Sequence, residues 1–83
     1  MSLVSTTDRA EDVARQWMKS KYPNKIAKAK FSEVMLENRV WTVRIEVEMR
    51  TGVLAVAPRI LVLKIDADTT NVVGYSESTP PKA

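Results

Sequence analysis

Six cationic side chains, Arg15, Lys19, Lys21, Lys25, Lys28 and Lys30, stand between Asp12 and Glu33 with no acid among them. The whole chain carries a formal net charge of only +3, so this stretch concentrates a positive field able to hold phosphates. Nucleic acid or another polyanion is one candidate partner, and an acidic protein surface is another. Stacking on bases needs exposed aromatic rings, and the nearby Trp17, Tyr22 and Phe31 are spaced as core residues. The plainer expectation is a solvated helix end followed by an edge strand that lysines protect against aggregation. Nucleic acid is therefore the alternative partner and not the favoured one.

Carboxylates offer the next chemistry. Asp66, Asp68 and Thr70 alternate, and Glu77 stands eleven residues after Asp66, which matches four oxygen-ligand positions of an EF-hand loop. Asn71 occupies the position where that loop requires glycine, and strand-like sequence flanks it. The expectation is a carboxylate-rich turn without a metal. Glu46 and Glu48 lie two apart on one strand face but alternate with Arg44 and Arg50, the pattern of cross-strand charge pairing on a wet surface.

The chain has no cysteine and no histidine. Thiolate nucleophiles, sulfur-bound zinc, iron–sulfur sites, disulfides and the usual neutral-pH general base are all excluded. What remains for catalysis is carboxylate, lysine, tyrosine or serine–lysine chemistry at no recognisable spacing, with a carboxylate or Lys64 beside the turn as its carrier. The expectation is a non-enzymatic protein without a cofactor.

A different function class is carried by the uncharged segment Val53, Leu54, Ala55, Val56, Ala57. A small sheet with a helix on one side leaves its other face open. Val53, Leu54, Val56, Ile60 and Val62 are thus candidate interface residues for a protein partner or, by preference, a second copy. The competing expectation is a hairpin extension buried under the helix end.

These residues need elements to position them. The 83 residues allow a single domain, with its core over about residues 7–77 and a frayed tail at 78–83, where Pro80 and Pro81 cannot join a sheet. Hydrophobic residues at 45% and charged residues at 28% describe a compact globular chain. Uncharged runs are too short to cross a bilayer, and residues 1–7 lack the pattern of a signal peptide. No membrane association and a cytoplasmic location are expected.

Ser5, Thr6, Thr7 and Asp8 signal a helix start, with Thr7 as the expected cap. Ala10, Val13, Ala14, Trp17, Met18 and Tyr22 then form one apolar stripe, which Pro23 and Asn24 end. Beyond them the period becomes two. Trp41, Val43, Ile45, Val47 and Met49 alternate with polar residues, predicting a strand with one covered face. Residues 25–37 carry Ala29, Phe31, Val34 and Leu36, whose parity switches midway and predicts a bulge near Ser32 and Glu33. The hairpin turn falls at Glu37, Asn38 and Arg39.

Thr51 and Gly52 mark another turn. Pro58 marks an edge position, a bulge or a break in the run 53–65, with 59–66 a full strand and 72–77 a short last one. The sum is an α+β fold, one N-terminal helix packed on a three- or four-stranded antiparallel meander. Trp17 and Trp41 are expected to meet in its core.

Several of these segments together resemble the PepSY domain: Tyr22 and Pro23 at the helix end, the strand Val40-Trp41-Thr42-Val43-Arg44-Ile45, and Ile65-Asp66-Ala67-Asp68-Thr69-Thr70-Asn71-Val72-Val73. That family's strands commonly end in a V-D-A-x-T-G-x-V turn. Ile65, Asp66, Ala67, Thr69 and Val72 match it, while Thr70 stands where the family has glycine. A β-branched residue is a poor substitute at positive φ, so the turn is expected to shift that conformation to Asn71. The resemblance implies one half of a cystatin-type arrangement, a helix on a curved antiparallel sheet. It also implies a role in regulating or inhibiting peptidases, or in binding partners at cell envelopes.

Overall fold

The computed structural model describes residues 6–80. A helix, α1 (Thr6–Lys21), precedes four strands, β1 (Ile26–Glu37), β2 (Val40–Arg50), β3 (Val56–Asp66) and β4 (Val72–Ser78). The strands form one antiparallel sheet in the order β1-β2-β3-β4, and α1 covers one face of it, the expected α+β arrangement. Of the expected cap cluster, Ser5 lies outside the described residues. The helix already includes Thr6, which puts Thr7 inside its first turn instead of at its cap. Of the expected frayed tail, residues 81–83 lie outside the described part, and Ser78 still belongs to β4.

The helix forms because its apolar residues recur once per turn and bury together. Ala10, Ala14 and Met18 are buried against Trp41, Val43, Ile45, Val47 and Met49 of β2 and Leu61, Leu63 and Ile65 of β3. Val13, Trp17 and Tyr22 flank that core. The helix stops where Pro23 has no N–H to extend it, and Asn24 takes φ 60° in the left-handed region that asparagine tolerates.

Parity along each strand decides which residues meet the helix. The β1 register jumps from Phe31 opposite Ile45 to Glu33 opposite Arg44, leaving Ser32 as a bulge. The extra residue is why Phe31 and Val34, three apart, both face inward. A second irregularity falls between Ile26 and Lys28. The β1–β2 hairpin closes through Asn38 and Arg39, with φ 52° and 63°, the left-handed pair that a two-residue turn matched to strand twist requires.

Pro58 neither breaks nor ends β3. β4 pairs with β3 only as far as Ile60 opposite Ser78, so residues 56–59 have β2 alone beside them, and a residue without an N–H is tolerated on an edge. The strand is thus continuous from Val56, three residues earlier than the sequence-based start at Arg59.

The two tryptophans share the helix-covered side but occupy different parts of it. Trp41 lines a small cleft with Arg9, Ala10 and Val13, whereas Trp17 packs on Tyr75 at 4.8 Å and Tyr22 at 6.0 Å between ring centroids. Seven residues of helix separate Ala10 from Trp17, about 10 Å of rise, which carries the second indole away from the start of β2.

The helix is also shorter than the sheet. Sixteen helical residues span about 24 Å, while the 11-residue strands β2 and β3 reach about 36 Å. Because the helix starts beside Trp41, the uncovered length lies at the β2–β3 loop.

Candidate functional site

That overhang carries the apolar segment. Thr51 N–H donates to the Ala55 carbonyl at 2.9 Å and closes the loop. Every residue from 53 to 56 is exposed, with Val53 and Leu54 each 98% and Val56 50% accessible. A run of four exposed apolar residues is not explained by folding, since removing it from water would stabilise any compact state. The expected burial of this extension under the helix end does not occur, because α1 does not reach it.

The rest of the candidate interface divides. Val62 is half-buried on the open face of the sheet. Ile60, only 7% exposed, is not available as a contact. It lies opposite Glu46 on one side and Ser78 on the other, on a strand with neighbours at both edges. It stands apart from the main core cluster.

The six clustered cations of the sequence do not converge. Arg15 lies over the Phe31 ring at 4.9 Å and approaches Asp12 at 3.6 Å and Glu11 at 3.9 Å. Lys21 lies over Tyr75 at 4.9 Å, toward the other edge of the sheet. Lys25 sits in the turn before β1, its N–H donating to the Tyr22 carbonyl and its carbonyl accepting from Arg50 N–H. Lys28 and Lys30 project from the face of β1 away from the helix, opposite Glu48 and Glu46. Glu33 likewise faces Arg44, so the open face carries three opposite-charge pairs in register. Of the six, Arg15 and Lys19 share a cleft with Arg50.

The carboxylates of the last turn are occupied locally. Asp66 Oδ1 accepts the N–H groups of Asp68 at 2.8 Å and Thr69 at 3.0 Å. These two bonds, aided by the nearby Arg39 guanidinium, hold its carboxyl below the ordinary aspartate value. Asp68 approaches Arg39 at 3.6 Å. Thr70, and not Asn71, takes the left-handed conformation, at φ 62°. It does so because its N–H must reach the Asp66 carbonyl, at 2.8 Å, while Asn71 returns its own carbonyl to Asp66 N–H. Lys64 donates to Thr42 Oγ1 at 2.9 Å across the open face.

Glu77 is at the opposite end of β4 from this turn. Its carboxylate accepts the Tyr22 hydroxyl at 2.9 Å and lies 3.5 Å from Arg59 Nε. Burial, followed by this bond to an anionic acceptor, pushes the Tyr22 phenol up to about 12. The EF-hand-like spacing therefore does not gather its four oxygens, and among the described residues no three acidic side chains cluster around a point. No polar or charged residue described is buried.

Sequence reasoning missed the cluster of Trp17, Tyr22, Tyr75 and Glu77 that fastens the helix end to β4. Its signal was the shared parity of Tyr75 and Glu77, masked because Val73 bulges out between Gly74 and Val72 of the β3 register. Among the described residues no helix is long and apolar enough to cross a membrane. Set against family models, curated proteins and solved structures, the chain matches none of them.

Proposed function

We propose that the chain is a small protein-binding module, regulatory or self-associating, that engages its partner through the β2–β3 loop and acts by binding and not by catalysis. The observation that carries this reading is the exposed run at 53–56, held out beyond the helix on two long paired strands. Val53 and Leu54 are presented between two strands paired along their length, in a loop closed by the Thr51–Ala55 backbone bond. The likeness to PepSY domains, with its implied regulation of peptidases, supports the same class of role.

Affinity capture from native lysate, with and without nuclease, tests it with the wild-type chain beside V53D/L54D. Proteins that persist after nuclease and disappear with the variant are the expected result, together with loss of any self-association in sedimentation equilibrium. An identical captured set for both chains overturns the reading. Capture that vanishes with nuclease and with Lys25, Lys28 and Lys30 changed to glutamate assigns the role to polyanion binding instead.

A further inference from the structure

A second site lies between the last turns of α1, the first half of β1 and the end of β2. The four strands span about 14 Å between outer backbones, more than one helix about 10 Å wide can cover. Trp17 on Tyr75 and Tyr22 on Glu77 draw the helix end toward β4. The inner face of β1 is left open there, and Ala29 supplies only a methyl group to fill it. The result is a wedge-shaped cleft of about 510 Å³, within the range of roughly 300–1,000 Å³ typical of small-molecule sites.

The cleft has a two-part chemistry. Met18, Tyr22, Ile26 and Ala29 give it an apolar floor, Arg15, Lys19 and Arg50 stand around it, and no acidic residue lines it. Lys19 has no carboxylate within ion-pair distance among the described residues. Arg50 Nη1 donates to the Asn24 carbonyl at 3.2 Å, which steadies the guanidinium at the rim and leaves its other N–H groups for a ligand. Arg15 meets Glu11 and Asp12 only in solvent-accessible pairs at 3.9 and 3.6 Å, weak contacts that an incoming anion can replace.

We propose that this wedge binds an amphiphilic carboxylate, its aliphatic chain on Met18, Ile26 and Ala29 and its head between Lys19, Arg15 and Arg50. Neither half of the site suffices. The cations alone are solvated, and the floor alone is too open to retain a neutral hydrocarbon. A molecule carrying one negative head on an apolar body satisfies both.

Amide chemical-shift titration of the full chain with decanoate at low salt tests the proposal. The expected result is saturable shifts centred on Lys19, Ile26 and Ala29, at least tenfold weaker binding by K19E/R50E, and comparable weakening by A29L, which fills the floor. Decyltrimethylammonium, with the same chain and the opposite charge, is expected to leave these amides unmoved. Absence of saturation below the concentration at which decanoate self-associates overturns the proposal. Equal shifts with the ammonium compound, or shifts centred on Val53 and Leu54, overturn it too. The wild-type titration decides on its own should a variant lose its circular dichroism spectrum.

Discussion

The two ends of β3 are built on opposite plans. At its C-terminal end the chain turns through Asp66 to Asn71 with nearly every polar group used. Asp66 Oδ1 takes two backbone N–H groups, Asp66 and Asn71 exchange a backbone bond, and Ala67 N–H reaches across to the Arg39 carbonyl. Beside that turn Ile65 is buried under the helix. At its N-terminal end the strand runs past both α1 and β4, and the loop before it has one closing bond, from Thr51 to Ala55, under an exposed apolar surface. One end uses its side chains on its own backbone, and the other leaves them exposed to solvent. The carboxylate-rich turn is here the structural end, while the bland hydrophobic loop is the better candidate for function.

The sharpest test of that contrast is truncation at each end. Ile65→Ala removes fully buried atoms and is expected to cost about 2–5 kcal/mol, while Val56→Ala costs under about 0.5 kcal/mol. Urea unfolding measures both, and similar losses would erase the distinction. Thr70→Gly is expected to stabilise the structural end by about 1 kcal/mol, because it relieves a β-branched residue held at positive φ. A fall in melting temperature would mean that the Thr70 hydroxyl bond to the Thr69 carbonyl outweighs the strain.

Titration separates the same two ends. The Asp66 carboxyl is held below its ordinary 3.8 in the fold, so its contribution is present above that pH and is lost as pH falls through the lowered value. Asp66→Asn is expected to flatten the acid limb of a melting-temperature profile. At the other end, Tyr22 is raised from 10.0 to about 12, so its contribution is complete below about pH 10 and is lost as pH rises through 12. Tyr22→Phe is expected to flatten the alkaline limb only, with a loss of about 0.5 kcal/mol at neutral pH for an exposed hydrogen bond. The smallest effect belongs to V53D/L54D, within about 0.5 kcal/mol of wild type. A large loss there would show that the loop supports the fold.

Much of this was legible in residue order. The stripe of Ala10, Ala14 and Met18, the alternation from Trp41 to Met49 and the parity switch between Phe31 and Val34 each report a local period, and local periods survive folding. The pairing of Glu33 with Arg44 follows from the register that the Asn38–Arg39 turn sets, and those of Lys30 and Lys28 with Glu46 and Glu48 from that register shifted by the Ser32 bulge. Less legible was anything that depended on one element reaching another. The stretch from Arg15 to Lys30 reads as one basic patch, yet its cations are divided among a helix, a turn and the open face of a strand. Ile60 reads as a surface residue by its strand parity, yet it is buried.

Sequence by itself determined the helix, the order of the strands, the place of the turns and which side chains of β2 face inward, because these follow from backbone sterics and from burial repeated at fixed spacing. Tertiary structure alone decided that α1 stops short of the β2–β3 loop, that its end leans toward β4, and that Arg50 joins Arg15 and Lys19 around one cleft. Those outcomes depend on relative lengths and on where Trp17 finds Tyr75, 58 positions along the chain. Contacts between such distant residues carry no period for a sequence to display.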